Sequence, residues 1–86
     1  MPEISRFLGI VITMYFNDHN PPHFHVRYEN ARGIVGIDPL ELREGDLPPR
    51  VLGLVMEWAE IHQPELRRNW TTLAEKGVFD KIDPLV

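Results

Sequence analysis

The sequence predicts an α+β fold, an antiparallel meander of three to five short strands followed by two C-terminal helices packed on one face of the sheet. Two observations predict it. Through about residue 43 the apolar residues recur at every second position, in short runs separated by Gly, Pro and Asn, and from Pro48 onward they recur at the three- and four-residue spacing of a helix. No internal repeat, low-complexity tract or linker interrupts the chain, so residues 1–86 read as one domain, strand-rich over 1–45, helical over 46–77 and extended over 78–86.

Residues 3–7 form the first strand, either separate and joined through Leu8-Gly9 to the next or continuous with it through a bulge at Gly9. In residues 9–16, Ile10, Ile12, Met14 and Phe16 alternate with Val11, Thr13 and Tyr15, and the β-branched and aromatic content suits a strand with one well-buried face. Residues 17–22 form a turn: Asn17, Asp18 and Asn20 satisfy local backbone donors, and Pro21 and Pro22 fix φ and cannot donate to a sheet ladder. Next, His23, His25 and Arg27 alternate with Phe24, Val26 and Tyr28, so the two sets point to opposite faces of a strand. If the apolar set faces the helices, the polar set faces solvent or a partner. A turn at residues 30–33, a strand at 34–37 and a short strand or extended edge at 40–43 complete the sheet before Gly45.

Val51, Leu54, Val55, Trp58 and His62 then recur at helical spacing, with Asp46 placed to cap the start. Gln63-Pro64-Glu65 ends this helix and opens a second, because proline is tolerated in a first turn and glutamate there complements the helix dipole. Leu66, Trp70 and Leu73 supply the apolar stripe of the second helix and Gly77 its stop. Trp58 and Trp70 read as packing residues, His62 as a core or helix-end histidine, and Glu57 and Glu60 as a solvated face. The tail retains Phe79, Ile82 and Leu85 and is expected to pack on the domain or on a second copy.

At 86 residues the chain is near the lower limit at which one core sustains a fold without a staple or a partner. With no cysteine, disulfides, thiolate zinc sites and cysteine nucleophiles are excluded, and any metal must sit on nitrogen and oxygen ligands. The first nine residues lack a basic segment followed by a long apolar core, and no run is long enough to span a membrane, so a soluble cytoplasmic protein is expected. The formal net charge of -4 argues against nucleic acid as a partner. Arg6, Arg27, Arg32 and Arg43 lie among Glu3, Glu29, Glu41 and Glu44, as on a mixed solvated surface. No Gly-rich phosphate loop, Gly-x-Ser-x-Gly elbow or His-Glu-x-x-His pattern is present.

His19, His23 and His25 place three of the four histidines within seven residues around a double proline. Three chemistries suit such a turn. Histidines two apart on a strand have backbones about 7 Å apart on one face, so His23 and His25, with His19 or Asp18 as a third ligand, can converge on zinc, nickel or copper. Two imidazoles on one face can instead straddle a phosphodiester as acid and base with Arg27 offsetting negative charge, which would make a small ribonuclease. A third use is recognition: His19, Asn20, Pro21, Pro22, His23, His25 and Arg27 form a preorganised surface for a protein partner. Against all three stands the ordinary role, with His19 capping the turn and His23 and His25 making surface hydrogen bonds.

The chain resembles the small bacterial proteins grouped as domain of unknown function 4160. The resemblance is carried by Ile4-Ser5-Arg6-Phe7, Gly9-Ile10, the segment from Met14 to His25 that includes Asn17-Asp18-His19-Asn20-Pro21-Pro22, then Glu57-Trp58-Ala59-Glu60 and Lys81-Ile82-Asp83-Pro84-Leu85. It implies membership in compact bacterial gene pairs of a regulatory or toxin–antitoxin-like kind, and hence a small protein partner in the cytoplasm. It assigns no catalytic residue. The expectation is therefore a recognition module, in a small complex or homodimer, with metal binding as its chemical elaboration and without an assigned enzymatic activity.

Overall fold

A computed structural model describes residues 2–16 and 18–86, so Asn17, the expected start of the turn, lies outside the described residues. Five strands, β1 (Glu3–Phe7), β2 (Ile10–Thr13), β3 (His23–Tyr28), β4 (Ala31–Ile37) and β5 (Leu40–Asp46), precede α1 (Pro49–Ile61) and α2 (Gln63–Lys76). The strands form one antiparallel sheet in chain order, β1-β2-β3-β4-β5, which is the expected meander at the upper end of its strand count. Among the described residues no helix is long and apolar enough to cross a membrane.

The alternatives around Leu8-Gly9 resolve in favour of a separate β1. Phe7 pairs with Ile10, and Leu8 and Gly9 both have positive φ (51° and 79°), the backbone of a two-residue hairpin turn that twists with its strands. The ladder of β2 stops at Thr13, three residues before the expected end, because its partner Glu3 is the first residue of β1. Met14 still donates its backbone N–H to Pro2 and is fully buried, whereas Phe16 turns out to solvent.

The β3–β4 turn is Glu29-Asn30 rather than residues 30–33, and β4 already begins at Ala31. Gly33 is a strand residue whose missing side chain is filled by Leu47 and Leu42 packed against the backbone. Strand β5 likewise runs past residue 43 to Asp46, because β4 is long enough to pair Arg32 with Asp46 and Gly33 with Gly45. At Gly45, φ is +92° and a side chain would collide with the Arg32 carbonyl. The peptide bonds preceding Pro21 and Pro39 are cis.

Asp46 does not cap α1, since it is held in the β4–β5 ladder and Pro48 occupies the cap position with no side-chain hydrogen bond. The consecutive prolines remove two backbone donors that a cap would otherwise have to satisfy, and Pro49 sets a helical φ at the first turn. His62 ends α1 and starts α2, with Nδ1 2.6 Å from the Glu65 carboxylate. Gly77 closes α2 in the left-handed conformation, as its position predicts.

Val51, Val55, Trp58 and Ala59 of α1 and Leu66 and Leu73 of α2 close over Ile4, Phe7, Ile10, Ile12, Phe24, Val26, Val35 and Ile37 from one face of the sheet. Each fully buried large side chain contributes about 1.5–3 kcal/mol of transfer free energy. Trp58 packs against Phe7 and Phe24 and donates its indole N–H to the Asp83 carbonyl at 2.8 Å. The tail thus packs on its own domain. Ile82 is buried and its N–H reaches Ile4 of β1, while the Asn69 amide accepts from the Asp80 N–H and donates to the Asp80 carbonyl.

Asn69→Ala leaves both Asp80 backbone groups without their partner and is expected to destabilise the fold by about 1–3 kcal/mol in urea unfolding. A second prediction concerns Arg67, which grips Asp38 with two nitrogens at 2.7–2.8 Å while Gln63 bonds the same carboxylate and the Ile37 carbonyl. The Arg67 hydrogen bonds hold the Asp38 carboxyl below its ordinary range. Because the folded-state value is depressed, the stabilisation is complete above the ordinary carboxylate value and is lost as pH falls through the folded-state value. Arg67→Met should therefore be less stable than wild type at neutral pH, with the gap closing in acid when unfolding is followed across a pH series.

Candidate functional site

The strand parity of β3 and the turn before it build the site. Phe24 and Val26 enter the core as the alternation requires, leaving His25 and Arg27 on the opposite face. His23 follows the same parity but does not face solvent. It is 8% exposed, because it is the first residue of β3 and Trp70 of α2 reaches its ring at a centroid distance of 5.2 Å. Trp70, expected as a core residue, is only half-buried and serves as the wall behind His23.

Asp18 joins the two strand histidines. Its Oδ2 lies 2.9 Å from His23 Nε2 and 3.3 Å from His25 Nε2, and its Oδ1 accepts the His19 backbone N–H at 2.9 Å. On its other side, His23 Nδ1 lies 2.8 Å from the Pro21 carbonyl, and the His25 ring meets Tyr15 edge-on at 4.4 Å. Partial burial pushes the Asp18 carboxyl up, but the His19 N–H and the interactions with His25 and His23 outweigh it and hold it below the ordinary carboxylate range.

The structure brings Asp18, His23 and His25 together, with one ligating atom from each within 4.8 Å of the others. It does not bring His19 into that group. The His19 side chain is 94% exposed, and its Nδ1 approaches the other carboxylate oxygen, Oδ1, at 3.3 Å. Asn20 and Pro21 are exposed at the rim and Pro22 is half-buried. His23 and His25 have ring centroids 5.2 Å apart and both turn Nε2 to one carboxylate, so they converge instead of straddling a gap, and Arg27 lies further along the strand.

The face of the sheet opposite the helices carries two adjoining depressions. One, of about 530 Å³, is lined by residues that include Val11, Tyr15, His25, Arg27, Arg32 and Glu44. The other, of about 440 Å³, lies against Asp18, His19, Pro21, His23, Arg43 and Glu44. They share His25, Ile34 and Glu44, and every residue lining them comes from the strands or from the segment between β2 and β3.

Arg43 and Glu44 are the site residues that sequence reasoning left on a generic charged surface. Strand β5 has a register shift opposite Ile34/Val35, so that Glu44 pairs with Ile34 and Leu42 with Val35, and Arg43 is the extra residue between them. The Arg43 guanidinium lies over Gly36, the cross-strand partner of His23, in space that a side chain at residue 36 would fill. Glycine at 36 was the available signal, but its meaning depends on which residue comes to lie over it.

Five antiparallel strands, two helices on one face and a histidine–aspartate cluster at a proline corner of the other define a small α+β protein with an open, groove-bearing sheet. The chain belongs to the family described as domain of unknown function (DUF4160), whose model matches residues 9–71. The match takes in the proline turn, β2 to β5, α1 and the first part of α2, while β1 and the tail fall outside it. No curated protein and no solved structure matches the chain.

Gly36→Ala is expected to push the Arg43 guanidinium off β4 while changing stability by less than about 1 kcal/mol, because the group displaced is the end of a flexible side chain. A shifted Arg43 Nε–H resonance with a nearly unchanged urea midpoint is the expected result.

Proposed function

We propose that this chain is a protein-binding regulatory module, one member of a small bacterial complex of the toxin–antitoxin-like kind, and that it docks its partner on the open face of its sheet. One observation carries the reading. Arg27, Arg43 and Glu44 line the two adjoining depressions, and among the described residues none of the three side chains has a hydrogen bond or a close ion pair within the chain, Arg27 having only a longer-range attraction to Glu3.

Charges without a close partner on a concave surface favour a ligand of complementary charge, both by attraction at a distance and by penalising mismatched partners. By strand register Arg27 and Arg32 lie at one level, Glu3 and Glu44 at the next and Arg43 beside the histidine corner, an order that suits a polypeptide segment with acidic groups at its two ends and a basic group between them. Val11 and Ile34 supply apolar floor between the charges. The rigid sheet and the Pro21-Pro22 corner limit the entropy lost on binding. A cytoplasmic setting follows from the same reading.

The test is co-purification from the native host followed by affinity measurement with the identified partner. Arg27→Glu combined with Arg43→Glu is expected to weaken that complex by at least about 10-fold, the equivalent of about 1.4 kcal/mol, with the circular dichroism spectrum unchanged. Undiminished affinity in the folded double variant would remove this face from the interface. A concentration-dependent homodimer of the isolated chain, abolished by the same substitutions, would assign the groove to a second copy instead.

A further inference from the structure

We propose that Asp18 Oδ2, His23 Nε2 and His25 Nε2 form a binding site for one divalent transition-metal ion, with Pro21 orienting His23 and with His19 outside the coordination shell. The inference stands on the geometry of these side chains and is independent of the partner-binding reading above.

The decisive feature is that His23 faces a hydrogen-bond acceptor at each ring nitrogen. The Pro21 carbonyl, 2.8 Å from Nδ1, can only accept, so Nδ1 carries a proton. In the neutral ring that places the lone pair on Nε2, which is 2.9 Å from Asp18 Oδ2. The Asp18 oxygen is also a lone-pair donor, and His25 Nε2 approaches that same oxygen at 3.3 Å. A cation seated among the three atoms turns the facing lone pairs of His23 Nε2 and Asp18 Oδ2 into ligands, and His25 in its Nδ1–H tautomer supplies the third from Nε2. A protonated imidazole can relieve one of the contacts by hydrogen bonding, and the experiment below separates the two arrangements.

The dimensions fit. Metal–nitrogen and metal–oxygen bonds of about 2.0–2.2 Å in a tetrahedron separate neighbouring ligand atoms by about 3.3–3.6 Å; the His25–Asp18 separation of 3.3 Å matches this, the His23–Asp18 separation of 2.9 Å must widen by a few tenths of an ångström as an ion enters, and all three atoms already lie inside 4.8 Å. A ligand histidine whose second nitrogen donates to a carbonyl is the usual way such a ring is fixed in tautomer and orientation. Burial adds to this. The His23, Asp18 and His25 side chains are 9%, 16% and 27% exposed, so little water competes at the inner side of the site.

Two imidazoles and one carboxylate suit zinc, iron(II), cobalt(II) or nickel(II) and do not match the all-oxygen shells of calcium and magnesium. Three protein ligands also leave coordination positions for a further group. His25 lines both depressions, so such a position would open on the groove that also contains Arg43.

The experiment is a zinc titration of chelator-treated protein, followed by calorimetry and by NMR of the histidine side chains. The expected result is saturable binding of one ion per chain that shifts His23 and His25 and is reversed by chelator. Asp18→Asn with His25→Gln should lower affinity by more than about 10-fold, whereas His19→Ala should leave it unchanged. These variants spare His23, whose ring packs on Trp70, and tryptophan fluorescence checks that the fold is kept. Cobalt(II) bound in place of zinc should give a visible absorption spectrum that is absent from the double variant. Lack of saturable binding to the wild type, equal affinity in the double variant, or loss of binding in His19→Ala would each overturn the assignment, the first of these leaving the Asp18–histidine contacts as hydrogen bonds alone.

Discussion

Trp58 must be satisfied from two directions at once, and much of the molecule is arranged around doing so. Its ring has to leave water, which places Phe7 of β1 and Phe24 of β3 on one side and His62, at the junction of the helices, on another. Its indole N–H must also keep a hydrogen-bond partner inside the fold, because an unmade bond at a buried donor costs more than a made one contributes. The Asp83 carbonyl meets that need and in doing so holds the tail against α1. Ile82 and Asn69 extend the same attachment to β1 and α2, so sheet, helices and tail form one connected core in a chain with no cysteine.

That arrangement leaves the sheet asymmetric. All of the helical packing is spent on one face, and the other carries mostly polar residues around Val11 and Ile34, a glycine at 36 and the bulged β5 edge. Polar parity alone would leave His23 in solvent, but α2 extends Trp70 to the margin of the sheet and closes one side of the ring. The histidine corner therefore has a dry side, made by Trp70 and the proline turn, and a wet side that opens on the groove. Asp18 stands between them, with one oxygen fixed by a backbone N–H and the other directed at both imidazoles.

The helical half was largely legible from the chain, since Val51, Val55, Trp58, Leu66 and Leu73 recur at the spacing that buries one stripe, and Gly77 sits where a left-handed stop is required. The assignment of Asp46 as a cap failed because capping preference is a local statement, and at that position the β4–β5 ladder competes for the residue and wins. The turn placed at residues 30–33 failed for a related reason. Gly33 looks like a turn residue in isolation, but here its missing side chain makes room for Leu47, a contact between residues separated by a whole strand. In the site, the pairing of His23 with His25 was legible from period two, whereas the approach of Asp18 to both rings, with the His19 ring left in solvent, depended on how residues 18–22 fold back on β3.

By itself, then, the sequence determined the order of strands and helices, the two faces of β3, and the concentration of histidine and aspartate beside a rigid turn. These are consequences of backbone periodicity and of proline and glycine stereochemistry, which act between near neighbours in the chain. Only the tertiary structure decided which imidazoles share the Asp18 carboxylate, that Trp70 walls in His23, and that Arg43 lies over Gly36 at the end of a groove. Each of those depends on strand register or helix placement, and these are set by the packing of the whole core around Trp58 rather than by any stretch of sequence near the residues concerned.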